Sequence, residues 1–161
     1  QAETMSKALG SYGGFISGNK EFTDLIREKS TIYQASTALP PPIVAAGIAS
    51  LKIIREHPEL RIQLLEKARE LRKEIISIGF QTTQDSTPII PLMVSAHAKA
   101  KDLSLFLESN GIIVPFMNYP VKQGKYIVRI TVSVSHTIDQ EEVLLKMLKK
   151  WKEKNGTNQN Y

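Results

Sequence analysis

The chain has 161 residues, of which 42% are hydrophobic and 23% charged, a composition typical of a folded globular protein and not of a disordered one. It contains no cysteine, which excludes disulfides, thiolate metal sites and a cysteine nucleophile, and suits a reducing cytosol. The net charge of +5 comes from the end of the chain, because residues 145–161 hold five lysines against Glu153 while the rest is nearly balanced.

Residues 1–57 are rich in glycine and other small residues. Within them, residues 13–17 (Gly-Gly-Phe-Ile-Ser) predict a short buried strand. Asn19 is well placed to cap a charged helix over residues 20–29. We therefore expect a strand and a helix before the chain changes character.

A segment rich in hydroxyls and prolines follows at residues 36–42, Ser-Thr-Ala-Leu-Pro-Pro-Pro. The hydroxyls can cap a helix, and proline is tolerated in a first helical turn because its missing N–H costs little there. These features predict a mostly apolar helix over residues 42–57. Close packing of this helix against other elements is favoured by its small residues Ala45, Ala46, Gly47 and Ala49.

An α+β unit is predicted after Pro58. A long amphipathic helix, stopped by Gly79, is indicated by apolar residues at helical spacing: Leu60, Leu64, Ala68, Leu71, Ile75 and Ile78. Residues 87–94 then predict a strand whose prolines confine it to a sheet edge or to irregular ends.

Another helix and two strands are predicted in the middle of this unit. The helix covers residues 98–110 and ends before Gly111. The strands cover residues 112–114 and 126–132, and the second alternates enough to have two distinct faces.

The last helix is predicted from Thr137 and Gln140, which form a capping-box signature. Its lysines lie near its C-terminal end, where cations complement the helix dipole. A solvated helix end is therefore favoured over a nucleic-acid surface, since no aromatic or arginine-rich patch accompanies the lysines. The inward residues are predicted to be Val143, Leu144, Met147, Leu148 and Trp151.

Neither a metal site nor a membrane span is predicted. His57, His97 and His136 lie far apart, and no pair of them has the spacing of a zinc site. No apolar stretch approaches the roughly 20 residues needed to cross a bilayer.

The most informative stretch is residues 4–15, Thr-Met-Ser-Lys-Ala-Leu-Gly-Ser-Tyr-Gly-Gly-Phe, where a lysine lies among small residues and hydroxyls. Three more stretches follow at residues 36–41 (Ser-Thr-Ala-Leu-Pro-Pro), 87–91 (Thr-Pro-Ile-Ile-Pro) and 128–137 (Val-Arg-Ile-Thr-Val-Ser-Val-Ser-His-Thr). In this order the four resemble motifs of the α-oxoamine synthases, which are fold type I pyridoxal-phosphate (PLP) enzymes that join an amino acid to an acyl-CoA. The resemblance covers nearly the whole chain.

The resemblance implies an α/β protein that forms the C-terminal portion of the fold type I architecture. Residues 1–57 would be the end of the large PLP-binding domain with its connecting helix. Residues 58–154 would be the small α+β domain, and residues 155–161 a frayed tail. The upstream part of the family's site, including its ring-stacking side chain and aspartate, precedes the lysine, so we expect this chain alone to be inactive.

Lys7 is the candidate catalytic residue. A lysine attacks an aldehyde only as the neutral amine, so its site has to favour that form. By the resemblance, Lys7 is the Schiff-base lysine that holds PLP and then removes the α-proton of the amino acid. The alternative is an exposed lysine that precedes a glycine turn.

Four further residues receive roles from the resemblance. Thr4 would bind the cofactor phosphate, unless it is only a turn residue. Ser36 and Thr37 would reach the phosphate of a neighbouring subunit, which implies a homodimer with shared sites, although either could be a helix cap. Arg129 would bind the carboxylate of the amino acid, the alternative being an outward-facing strand arginine.

One loop departs from the family pattern. Counting back from Arg129 without gaps, the family's Arg-Pro-Pro-Thr-Val-Pro loop falls on residues 117–122, Met-Asn-Tyr-Pro-Val-Lys. Met117 stands at the arginine and Pro120 at the threonine. A second contact to a carboxylate or to the acyl chain is therefore not expected there.

The sequence thus predicts a cytoplasmic PLP-dependent acyltransferase with amino acid and acyl-CoA substrates, and no nucleic-acid partner. Two alternatives stay open, an aminotransferase of the same fold and a non-catalytic dimerisation module in which Lys7 is incidental. A third and weaker one is nucleic-acid binding by the lysines of residues 146–161.

Overall fold

The computed structural model describes residues 1–117 and 126–156. The chain divides into two compact units, Gln1–Pro58 and Glu59–Tyr161. Among the described residues, no helix combines the length and the apolar character needed to cross a membrane.

The first unit contains a two-stranded sheet and three helices. They are β1 (Ala2–Thr4), β2 (Gly14–Ile16), α1 (Lys20–Lys29), α2 (Thr31–Ala35) and α3 (Pro41–Glu56). The strands are antiparallel, with Thr4 opposite Gly14. A side chain at Gly14 would not fit, since its Cβ would lie 2.6 Å from the carbonyl oxygen of Glu3.

Most predicted elements of the first unit are present. Helix α1 is confirmed with its cap, because the side chain of Asn19 accepts a hydrogen bond of 2.9 Å from the N–H of Phe22. Helix α3 lies one residue from its predicted bounds. The prediction that the strand at residues 13–17 is buried is wrong, because two paired strands cannot cover both of their own faces.

The second unit packs three helices on a three-stranded sheet. Its elements are α4 (Pro58–Ser77), β3 (Ile89–Val94), α5 (His97–Ser109), β4 (Phe116–Met117), β5 (Tyr126–Thr131) and α6 (Ile138–Gly156). The strands are antiparallel in the order β3-β5-β4. In the register, Ile127 of β5 lies opposite both Met93 of β3 and Met117 of β4.

A single hydrophobic core lies between the sheet and the helices of this unit. Its largest fully buried side chains are Ile75, Ile90, Leu92, Leu103, Leu107, Val128 and Leu148. Trp151 closes the core and donates from Nε1 to Oδ2 of Asp102 at 2.7 Å. The predicted inward faces of α4 and α6 are confirmed except at Leu60 and Val143, which are 37% and 47% exposed.

The predicted strand at residues 112–114 is wrong. These residues are irregular, and the strand starts only at Phe116, after Pro115. The carbonyl of Val114 accepts a hydrogen bond from the Ser104 hydroxyl at 2.6 Å instead of joining the sheet. Pro115, which lacks an N–H, can contribute only its carbonyl, and this oxygen accepts from the N–H of Arg129.

The capping box of α6 is confirmed. The N–H of Thr137 donates to Oε1 of Gln140 at 3.0 Å, and the N–H of Gln140 donates to the Thr137 hydroxyl at 3.3 Å. The helix continues to Gly156, past its predicted end, and the rest of the predicted frayed tail lies outside the described residues. The lysines near this end are exposed except Lys152, whose ammonium lies 4.9 Å from the ring centroid of Phe80.

Candidate active site

Lys7 lies on the loop that joins β1 to β2, and its side chain is exposed. The N–H of Gly10 donates to the Lys7 carbonyl at 2.9 Å, which closes a tight turn directly after the lysine. Gly10 and Gly13 have φ of 56° and 88°, a conformation in which a side chain would be strained. The glycines that follow the lysine are therefore required by the shape of this loop.

The loop is anchored to helix α3 by two hydrogen bonds at residues that follow Lys7. The hydroxyl of Ser11 donates to the carbonyl of Ile43 at 2.9 Å, and the hydroxyl of Ser50 donates to the carbonyl of Leu9 at 2.8 Å. The backbone of the loop is thus held in place while the side chain of Lys7 is exposed.

Buried apolar side chains support the same anchoring. Met5 and Leu9 are 7% and 9% exposed, on either side of the exposed Lys7. Met5 packs on Gly47 of α3, where an added Cβ would lie 2.9 Å from the sulfur. Of the four small residues predicted to allow close packing, Gly47 does so, whereas Ala45, Ala46 and Ala49 are exposed.

Two hydroxyls precede the lysine and contact each other. Oγ1 of Thr4 lies 2.8 Å from Oγ of Ser6, and the N–H of Ser6 donates to the Thr4 hydroxyl at 3.3 Å. Thr4 ends strand β1, and its exposed side chain can still bind a ligand through its hydroxyl. Ser6 was not assigned a role from the sequence, although its position directly before Lys7 was the available signal.

Ser36 and Thr37 are exposed and do not cap helix α3. The N-cap of α3 is Pro40, with no side-chain hydrogen bond. Ser36 ends helix α2 through its backbone N–H, which donates to the carbonyl of Ile32. The expected alternative role of the hydroxyls as helix caps is therefore wrong, and within the described part of the chain neither hydroxyl is engaged.

Arg129 lies in the middle of β5, in the second unit. Its neighbours Val128 and Ile130 are buried in the core, so Arg129 belongs to the opposite face of the sheet and is exposed. In the register it lies opposite Pro91 of β3. No acidic side chain pairs with its guanidinium among the described residues, which leaves it available to an anion.

A buried arginine of the second unit was missed from the sequence. Arg72 of α4 is 5% exposed, and its Nη2 donates to the carbonyls of Thr87 and Ile89 at 2.8 and 3.0 Å and to Oδ1 of Asp85 at 3.2 Å. These contacts hold the segment that leads into β3. The available signal was its spacing, four residues after the buried Ala68 and three before Ile75.

Asp85 is ionised by this arrangement. The hydroxyls of Thr83 and Thr87 and the N–H of Thr87 lower the pKa of Asp85 from its ordinary 3.8 to about 2, and the Arg72 guanidinium adds to the effect. The carboxylate and the guanidinium are engaged with each other and with the chain, so this pair is structural rather than available for a substrate.

The loop that departs from the family pattern lies only partly among the described residues. Met117 ends β4 and is half-buried, whereas the remainder of the departing loop, residues 118–122, lies outside the described residues.

Across residues 1–117 and 126–156, no group of three or more histidine, aspartate or glutamate side chains is arranged to hold a metal ion.

Comparison with known proteins shows related sequences and folds. The family described as aminotransferase class I and II matches residues 2–148. A protein of Acetivibrio thermocellus named putative 8-amino-7-oxononanoate synthase is 38% identical over 154 residues, which are 95% of this chain and 40% of that protein. The chain therefore spans about two fifths of the length of the relatives it matches.

Solved structures give the same picture. Serine palmitoyltransferase of Sphingomonas wittichii has a TM-score of 0.90 at 24% identity, over 97% of this chain and 40% of that one. A serine palmitoyltransferase structure described as containing the PLP internal aldimine has a TM-score of 0.89 at 25% identity, over 96% and 40%. The predicted fold class, an α/β portion of the fold type I architecture, is confirmed.

Proposed function

Because the chain belongs to the aminotransferase class I and II family and, within it, to the α-oxoamine synthases, we propose that the full-length protein is a PLP-dependent C-acyltransferase. It joins the α-carbon of an amino acid to the acyl carbon of an acyl-CoA and releases CoA. The observation that carries this proposal is Lys7, an exposed amine on an anchored loop beside two exposed hydroxyls, inside the matched residues.

The donor groups of the first unit fit PLP. Its aldehyde requires a primary amine, which Lys7 offers. Its phosphate accepts hydrogen bonds from hydroxyls, which Thr4, Ser36 and Thr37 expose. When bound, PLP supplies an electron sink for the negative charge that develops at the α-carbon of the amino acid.

The residues of the chain then have separate tasks. Lys7 accepts the proton that leaves the α-carbon of the amino acid. Thr4 would donate a hydrogen bond from its hydroxyl to the cofactor phosphate. This contact would fix the position of the PLP aldehyde with respect to Lys7. Arg129 binds the carboxylate of the amino acid through its planar guanidinium, which matches a carboxylate in charge and in geometry.

A homodimer follows from the proposed role of Ser36 and Thr37. Both hydroxyls are exposed, and the helix that follows them has exposed apolar side chains, including Ile48 at 63%. Such a surface favours contact with further protein. A cytoplasmic location is supported by the absence of cysteine from the sequence.

Borohydride reduction tests the role of Lys7. The full-length protein is incubated with PLP, reduced and digested, and the peptides are mapped by mass spectrometry. We expect a phosphopyridoxyl group on the peptide that contains Lys7, and its loss in Lys7→Ala. Lys20→Ala, which removes an exposed lysine of the same unit, is the matched control and keeps the label.

The outcome also separates this proposal from a non-catalytic dimerisation module. A wild-type protein that carries no label on Lys7 contradicts the enzyme proposal. The same labelling of residues 1–161 alone tests whether this part binds PLP. A separate activity assay of residues 1–161 tests its expected inactivity, which a lack of turnover would support.

An aminotransferase is the second candidate function, because the matching family is described by that activity. It would use the same lysine, cofactor and carboxylate-binding arginine. The two reactions differ in their products, since an acyltransferase releases free CoA thiol and an aminotransferase releases an oxo acid. A thiol assay with amino acid and acyl-CoA detects the acyltransferase. An assay with amino acid and a second oxo acid as amino acceptor, without CoA, detects the oxo acid that an aminotransferase forms.

A further inference from the structure

Among the described residues of the second unit, one face of the sheet points away from the core that the helices share. On β5, Val128 and Ile130 point into the core, so Ile127, Arg129 and Thr131 share the opposite face. The partners of these three residues on β3 are Met93, Pro91 and Ile89, and directly opposed residues lie on the same side of an antiparallel sheet. We call these six residues, together with Met117, the open sheet face.

A row of apolar side chains crosses this face. Ile127 lies opposite Met93 on one side and Met117 on the other, and all three are half-buried. With strands about 4.8 Å apart, the row is about 10 Å wide. We call these three residues the methionine row.

The methionine row lies beside Arg129. On β5, Ile127 and Arg129 are two positions apart and lie on the same face, about 7 Å from each other along the strand. Within the described residues, Arg129 is also the only charged residue of β3, β4 and β5. A carboxylate bound at Arg129 would thus have an uncharged, apolar surface as its neighbour.

The chemistry of the proposed function, on which this inference rests, brings the acyl chain to that surface. The new bond joins the acyl carbon to the α-carbon, and the α-carbon carries the carboxylate that Arg129 is proposed to bind. The acyl chain therefore starts two bonds from that carboxylate. Against the expectation from the sequence that Met117 makes no contact to the acyl chain, we infer that the methionine row binds this chain. The row selects a chain that ends in a methyl group over one that ends in a second carboxylate.

Two physical effects give this selectivity. Each methylene moved from water onto the row raises affinity about fourfold at most, and flexible methionines adapt to chains of different shape. A second carboxylate placed there would lose its hydration without gaining a cation, because Arg129 is already engaged. The position at which a cation would help, Met117, holds a thioether.

Binding of unreactive thioethers tests the selectivity apart from turnover. The full-length holoenzyme is saturated with amino acid, and calorimetry measures the Kd of octyl-CoA and of its counterpart of equal length ending in a carboxylate. We expect octyl-CoA to bind about tenfold more tightly or better, equivalent to one decade in Kd. Equal binding, or a preference for the carboxylate, overturns the inference.

Substitutions on the row provide the second test. Met117→Arg should bring the two Kd values together or reverse their order. Met93→Ala should weaken octyl-CoA about fivefold and leave its counterpart nearly unchanged. Ile113→Arg is the matched control, because it adds the same cation at a side chain that is 88% exposed and lies beside α6 instead of the open sheet face, so it should keep the wild-type ratio.

Failure of this inference is distinguishable from failure of the proposed function. If Lys7 takes up PLP and CoA is released but Met117→Arg and Met93→Ala leave the Kd ratio unchanged, the acyl chain binds elsewhere. If Lys7 takes up no PLP, the proposed function itself fails.

Discussion

The two units differ in how much of their apolar surface they cover. In the first, the buried residues are Met5, Leu9 and Gly47, all at the contact between the lysine loop and α3. In the second, seven large side chains are fully buried in one core. The second unit thus has a hydrophobic core that stabilises it, whereas the first unit buries few side chains beyond those at the loop that carries Lys7.

This difference assigns separate physical tasks to the units. The candidate cofactor-binding groups lie on the sparsely buried unit, where exposed side chains can meet a ligand. The candidate carboxylate-binding Arg129 lies on a strand whose other face is fixed by the core, which holds its backbone rigidly. Exposed apolar residues on α3 ordinarily contact more protein, in agreement with a chain that spans two fifths of its relatives.

Matched leucine truncations are the strongest test of this difference. Leu107→Ala removes a fully buried side chain from the second unit and should lower the free energy of unfolding by about 3 kcal/mol. Leu51→Ala removes a leucine that is 46% exposed on α3 and should cost less than about 1 kcal/mol. Urea unfolding followed by circular dichroism measures both, and equal losses would show that the first unit has a core of its own.

Removal of Arg72 should have a smaller effect that is confined to the second unit. Arg72→Met keeps the length and apolar part of the side chain but leaves the carbonyls of Thr87 and Ile89 without their donor. We expect a loss of about 2 kcal/mol in the free energy of unfolding. Arg69→Met, at an exposed position of the same helix, is the control and should change it by less than about 0.5 kcal/mol.

The same contacts explain how far the sequence could predict the fold. Helices α1, α3, α4, α5 and α6 could be predicted from the spacing of apolar residues and the positions of proline and glycine, with caps confirmed for α1 and α6, because these signals are local. The strand at residues 112–114 fails because a short apolar run does not reveal whether its hydrogen bonds go to a sheet or, as at Val114, to a side chain. The spacing of Arg72 indicated that it lies on the inner face of α4, but its partners, two backbone carbonyls and the Asp85 carboxylate, leave no pattern in the sequence.

The candidate site divides in the same way. Lys7 and Arg129 could be selected because their residue types are unusual in their surroundings, a lysine before glycines and an arginine in an apolar strand. Thr4 could be selected only through the resemblance of its stretch to the family motif. The anchors Ser11 and Ser50 could not, since their hydroxyls bond to carbonyls of residues 43 and 9, far away in the sequence. Their contribution depends on the fold and not on local spacing.

Acid unfolding provides the smallest and most specific test. The pKa of Asp85 is lowered from 3.8 to about 2 in the folded chain, so the folded state binds fewer protons than the unfolded state as pH falls. The stabilisation is fully present above the unfolded pKa and is lost as pH falls from about 4 to about 2. Asp85→Asn removes it and should flatten the decline of the urea midpoint across that range. Glu70→Gln, which removes an exposed carboxylate from α4, should keep more of the decline, and equal slopes for the two variants would contradict a specific role for Asp85.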